Sequence, residues 1–136
     1  MASTPTQLKA GLKTALATIS GLRAYDYQPD NLNTPFAWSV LDSVTYHGAM
    51  KGGLVRHDFT VTVVVGRSAV KQAQDLLDSY IAYDGAPSIR AALESDRTLG
   101  GVCQTLIVES AGNISTMDAN DGVTYLAVDW KVAVYV

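Results

Sequence analysis

The chain has 136 residues, 48% hydrophobic and 17% charged, with 13 acidic side chains against 10 basic ones and a net charge of −3. That length suits one domain around one core. The scattered Lys and Arg form no run able to neutralise several adjacent phosphates, which argues against tight DNA binding by a single chain.

Cys103 is the single cysteine, so an intrachain disulfide and a thiolate zinc cluster are excluded. Its apolar flanks predict a buried, inert thiol. Residues 1 to 7 show neither the basic region nor the apolar stretch of a targeting segment, and no later run approaches the roughly 18 apolar residues of a membrane span. The expectation is a reducing, soluble compartment and no membrane partner.

Thr4, Pro5 and Gln7 predict a helix start: a hydroxyl cap, a proline at the first helical position and a glutamine three residues after the cap. Leu8, Leu12, Leu16 and Ile19 follow at helical spacing, and Gly21 can take the left-handed conformation that ends a helix, so a helix is expected from about 5 to 19. Leu22 to Tyr27 reads as a short strand, closed by the turn-rich stretch Gln28 to Pro35.

Phe36, Trp38, Val40, Val44 and Tyr46 alternate along one segment, and Phe59, Val61, Val63 and Val65 along the next. A period of two predicts two strands, each with one buried face. They should pair as a hairpin, with Trp38 and Val61 or Val63 facing the same core as Leu76 and Leu77. The connection between them, His47 to Leu54, contains Gly48, Gly52 and Gly53.

Ser68 is placed to cap a second helix whose apolar positions, Val70, Ala73, Leu76, Leu77, Tyr80 and Ile81, trace one face. Pro87 can open a short third helix carrying Ile89, Ala92 and Leu93. Gly100 and Gly101 end that region and release a strand from about Val102 to Glu109. Asp121-Gly122 signals a tight turn, after which Leu126, Val128, Trp130, Val132, Val134 and Val136 alternate. The order of elements predicts an α+β fold: an antiparallel or mixed sheet of about four to five strands with two to three helices packed on one face.

Candidate chemistry is sparse. The two histidines, His47 and His57, have no serine in a nucleophile turn to activate, and both are expected to be exposed and non-catalytic. His57 and Asp58 are neighbours on a strand and point to opposite faces, which is poor geometry for a base and its orienting carboxylate. Asp118, Asn120, Asp121, Gly122 and Asp129 lack the alternating ligands and closing glutamate of a calcium loop, and a hairpin turn explains them better. The glycines at 48 to 53 precede a strand instead of a helix and lack the Lys-Ser or Lys-Thr ending of a phosphate loop. Asp26, Asp42 and Asp58 have no reading from sequence. No enzyme, cofactor or metal site is expected.

Taken in order, the phrases of the chain resemble a known family. They are the Leu8-to-Ile19 helix, Gly21-Leu22-Arg23-Ala24-Tyr25-Asp26-Tyr27, and Asp58-Phe59-Thr60-Val61-Thr62-Val63-Val64-Val65-Gly66-Arg67. Ala73-Gln74-Asp75-Leu76-Leu77-Asp78, Ser88-Ile89-Arg90-Ala91-Ala92-Leu93-Glu94, Asp96-Arg97-Thr98-Leu99-Gly100-Gly101 and the closing strand follow. The family is the tail terminators of siphophages, in particular the short members from phages of actinobacteria. Each phrase alone is generic helix, turn or strand chemistry; their order and spacing carry the resemblance.

The resemblance implies a virion protein of the tail and neck, assembled in the host cytoplasm. It would form a ring, hexameric in the family, at the head-proximal end of the tail tube. There it would stop tube elongation and offer a docking surface to the head connector or stopper. DNA would pass through the channel without sequence-specific binding, and no catalytic residue is carried over. The nearest rival is another ring-forming neck protein, a head-completion or stopper protein; a small α+β enzyme or ligand-binding module is the rival from another class. Within the chain, the tip with His47, Gly48, Met50, Lys51, Gly52 and Gly53 is the candidate oligomer or partner contact. Its length and glycines cost entropy that a two-residue turn would avoid, Met50 offers a pliable apolar anchor, and Lys51 can meet a carboxylate.

Overall fold

A computed structural model of the chain describes residues 4–19, 21–25, 35–46, 55–67, 71–118 and 124–136. Helix α1, Pro5–Leu16, opens as its sequence requires. The Thr4 hydroxyl accepts from the Gln7 backbone N–H at 3.3 Å, and the Gln7 side chain accepts from the Thr4 N–H at 2.9 Å. Two otherwise unpaired amide groups are thereby satisfied reciprocally. The helix ends at Leu16 with Ala17 as its cap, three residues short of the expected end, and Gly21 takes its left-handed φ of 82° in the turn beyond.

Among the described residues five strands follow α1 in the chain. They are β1 (Arg23–Tyr25), β2 (Phe36–Thr45), β3 (Arg56–Arg67), β4 (Thr105–Asp118) and β5 (Thr124–Tyr135). Helices α2 (Lys71–Ile81) and α3 (Ile89–Glu94) lie between β3 and β4 in the chain. The sheet order is β1-β2-β3-β5-β4, with β1 parallel to β2 and every other pair antiparallel. The fold is therefore α+β, a mixed sheet with three helices against it.

The helices share one face of the sheet. Leu8, Leu12 and Leu16 of α1 are fully buried, and with Ala73, Leu77 and Tyr80 of α2 and Ile89 and Leu93 of α3 they meet Ala37, Phe59, Val61, Val63, Val128, Trp130, Val132 and Val134 of the sheet. Burying each leucine contributes roughly 2 kcal/mol. A 12-residue helix is marginal alone, so α1 is held mainly by that stripe.

The sequence placed Trp38 in this core, and the structure corrects it. Trp38 pairs with Thr62, whose neighbours Val61 and Val63 face the helices, so Trp38 and Thr62 share the opposite face. Here Trp38 joins Phe36, Val64, Tyr125 and Ala127 in a second buried cluster. The Phe36 and Trp38 rings stack at 5.6 Å, and Tyr25 meets Phe36 edge-on at 6.4 Å. Residues Phe36 to Ser39 are all buried, which means that this end of β2 is covered on both faces and Ala37 is its core-facing side chain.

Two boundaries also differ. Helix α3 opens at Ile89 with Ser88 as N-cap, its hydroxyl accepting from the Ala91 N–H at 3.2 Å and donating to the Ala82 carbonyl at 2.6 Å; Pro87 lies in the turn before it. Strand β4 starts later and runs much further than expected, with register shifts at Val108/Ser110 and Gly112/Ser115. The expected Ser68 cap and the Asp121-Gly122 turn lie outside the described residues.

Candidate assembly surface

The candidate contact residues His47, Gly48, Met50, Lys51, Gly52 and Gly53 lie outside the described residues. The structure does define the base from which they extend. Thr45 pairs with Arg56 at the end of the β2–β3 ladder, and Val55 exchanges two backbone hydrogen bonds with Val136, at 3.2 and 2.9 Å. Tyr46, at the mouth of the connection, is 71% exposed.

From that base a network of charged and polar side chains runs across the helix-free face. Arg56 donates to Asp58 at 2.8 Å, to Glu109 at 3.1 Å and to the Tyr135 hydroxyl at 3.2 Å, tying β3 to both β4 and β5. The hydrogen bond from its guanidinium to Asp58 raises the Arg56 pKa above its ordinary value. Ser43 donates to the second Asp58 oxygen at 3.1 Å. One step along, Thr60 donates to Asp42, and Lys131 Nζ lies 3.1 Å from the Thr60 hydroxyl and 3.7 Å from the Asp42 carboxylate. Thr62 donates to Asp129 at 2.8 Å. Asp42 and Asp58, unread in the sequence, are thus cross-strand partners.

Exposed pairs of this kind contribute only about 0–1 kcal/mol each. Their effect is to fix register and to give this face a patterned surface of alternating sign beside the aromatic cluster.

His57 corrects a second expectation, since it is 4% exposed instead of free in solvent. It alternates with Phe59 on the helix-facing side of β3, its ring stacked on Phe59 at 6.3 Å and 15°, and its Nδ1 has no hydrogen-bond partner. Burial pushes its pKa below the ordinary histidine value, against smaller opposing effects of the Val55 carbonyl and Asp58. Asp58 lies on the other face, bound to Arg56 and Ser43, so the pair does not make a catalytic base. Cys103 is buried as expected. Its thiol donates to the Arg97 carbonyl at 3.2 Å, and burial raises its pKa.

A cleft of about 470 Å³ opens between α1 and the turn after α3, lined by Ala10, Gly11, Thr14, Leu99 and Val102 among others. Asp96 at its rim is fully engaged in its own turn: it accepts from the Thr98 hydroxyl and N–H and from the Gly100 N–H, and these bonds lower its pKa, the Thr98 hydroxyl most. Among the described residues no three His, Cys, Asp or Glu side chains gather as metal ligands. No helix among them is long and apolar enough to cross a membrane.

No family model and no curated protein matches the chain. Among solved structures it is similar to a chain from the virion of the native gene transfer agent (GTA) particle. The identity is 12%, the coverage 97% of this chain and 90% of that one, and the TM-score 0.36. The similarity is distant and assigns no family.

Proposed function

We propose that the chain is a structural subunit of a phage-like virion, and within that class a tail terminator. It joins the head-proximal end of a completed tail tube as a ring, ends elongation and receives the head connector or stopper, while DNA passes through its channel.

The observation that carries this reading is the order and spacing of the family-like phrases. Each falls on a piece of the fold with a definite part to play. Arg23-Ala24-Tyr25 forms β1, and Asp58 to Arg67 forms most of the central strand β3. Ala73 to Asp78 lies on α2, Ser88 to Glu94 is the cap and body of α3, and Asp96 to Gly101 is the turn closed by the Asp96 carboxylate. The patterned sheet face suits a subunit that works by contact. In this role the tip from His47 to Leu54, with Met50 and Lys51, meets a neighbouring subunit or an adjacent ring.

Deleting the gene from its phage and measuring tails by electron microscopy tests the reading. A terminator's loss gives abnormally long tubes. Tails of normal length beside DNA-leaking heads would refute it and point to a stopper or head-completion protein.

A further inference from the structure

Helix α1 differs from α2 in what it turns outward. The outer side of α2 carries long polar side chains, with Lys71 bonded to Asp75 at 2.9 Å, as a solvated helix does. The exposed residues of α1 and its cap include the small Ala10, Thr14 and Ala17, and its charges are Lys9 and Lys13 with no acid in the helix. Small side chains let a second surface approach a helix closely. Thr14 and Thr18 donate their hydroxyls to the Ala10 and Ala15 carbonyls, at 3.0 and 2.7 Å, so the cleft beside them is left apolar in character. The floor of that cleft is fixed. Leu99 takes a left-handed φ of 50° and packs so tightly on Gly11 that a Cβ there would meet the Leu99 Cβ at 3.0 Å.

The helix-free face of the sheet has the complementary pattern. Away from the aromatic cluster, the charged side chains described on it are Asp42, Asp58, Glu109 and Asp129 against Arg56 and Lys131, an excess of two carboxylates. Val40 (44%) and Ile107 (43%) stand exposed among them.

We infer that α1 and its cleft on one copy receive the helix-free sheet face of a second copy, with Ile107 entering the cleft and Lys13 meeting Asp42. The inference rests on the ring-forming role proposed above and names the surfaces through which the ring would close.

Charge and spacing make a second copy the occupant. One chain carries both halves of the contact, an acid-free helix with two lysines on one side and a sheet face with surplus carboxylates on the other, and such surfaces attract. Ile107 is in register with Ala133, Asp58 and Ser43, so Asp42 lies within one residue of the same row, three strand spacings or about 14 Å away. The Asp42 carboxylate is 42% exposed and open to a further cation besides Lys131. Around α1, helical spacing sets Lys9 and Lys13 on the flank opposite the cleft, roughly 10 Å across the helix. A helix laid along the strands therefore brings its cleft to Ile107 and its lysine flank to Asp42 together. The sheet then has helices on both faces, its own on one and the neighbour's α1 on the other, a stable way to layer the two kinds of element. The contact uses two different patches, and such heterologous contacts close into a ring when the rotation between copies permits.

The test uses Thr14→Arg, which fills the cleft, and Ile107→Lys, both at exposed positions, with circular dichroism as the control for folding and sedimentation for mass. Wild-type protein should assemble and each variant alone should be monomeric. An equimolar mixture should form dimers and nothing larger, because one intact sheet face meets one intact cleft. Lys13→Asp should lower the assembled fraction, and adding Asp42→Lys to the same chain should restore it.

A second measurement does not depend on tolerating those side chains: the double variant Thr14→Cys/Ile107→Cys in a Cys103→Ala background. Within one chain the sheet itself lies between these positions, about 10 Å or more of separation, beyond disulfide reach. Oxidation should therefore link different chains into a ladder, whereas each single-cysteine variant stays largely monomeric. A monomeric wild type, a mixture that stays monomeric, a charge reversal without rescue, or oxidation without a ladder overturns the inference. Thr14→Arg and Ile107→Lys proteins that keep the wild-type mass overturn it while leaving the virion role standing, since that role falls only with normal tail lengths in the deletion phage.

Discussion

Replacing His57 by leucine should stabilise the protein, and more so in acid. His57 is 4% exposed and its Nδ1 has no hydrogen-bond partner, and the Val55 carbonyl and Asp58 offset only part of the cost of burial. Removing it gains about 1–3 kcal/mol, less roughly 0.5–1 kcal/mol for the lost ring stacking on Phe59. A net gain of about 1 kcal/mol corresponds to roughly 4 °C in melting temperature for a chain of this size. Because burial lowers the folded-state pKa of His57 below its ordinary 6.5, the unfolded chain binds this proton first. The wild type therefore loses stability as pH falls through 6.5 toward the lowered folded value, and the leucine variant does not lose that part. Thermal melts of both proteins at pH 8 and pH 5.5 make the comparison, with carboxylate titration common to the two. A difference that is the same at both pH values, or a variant less stable than wild type at both, would refute the reasoning.

Thr4→Ala removes one arm of the reciprocal cap on α1 and should cost about 1 kcal/mol, read as a lower denaturation midpoint with unchanged slope. Leu12→Ala, at a fully buried position of the same helix, should cost about 2–5 kcal/mol; a loss below 1 kcal/mol by urea titration would mean that α1 is not docked as described. Replacing His47 to Leu54 by Asn-Gly should leave the melting temperature unchanged and abolish tail capping. Normal tail lengths and full titre from that variant would remove the tip from the assembly contacts.

Much of the fold could be read from local chemistry. The Thr4–Gln7 cap, the leucine stripe of α1, the single apolar face of α2 and the alternation of β3 each match what the structure shows, because one buried face dominates each element. Strand β2 defeated the same logic. Its large side chains, Phe36 and Trp38, suggest one buried face, but the core takes the small Ala37 while the aromatics pack among themselves on the other side. Periodicity reports that a strand is half-covered and does not say which half when both are. Most of β4 was hidden because Ser110, Gly112, Asn113 and Ser115 read as loop residues, and its register shifts break the period of two.

His57 was misjudged for a similar reason. Its polarity suggested solvent, and only its place two residues before Phe59 signalled the core face. The cross-strand partners are Thr60 of β3 and Lys131 of β5 for Asp42, Ser43 of β2 for Asp58 and Thr62 of β3 for Asp129, while Arg56, two residues away, serves Asp58 from within the same strand. Pairing between strands depends on register, which alternation alone does not set. The resemblance to tail terminators, by contrast, came from the order of phrases along the chain, none of which is specific alone.

The position of the protein in the intact particle tests the central claim most directly. In a reconstruction of the virion that carries it, the account expects this chain as a single ring between the last ring of tail-tube subunits and the head connector or stopper. Density for the chain within the capsid shell, repeated along the tube, or missing from the finished particle would contradict it.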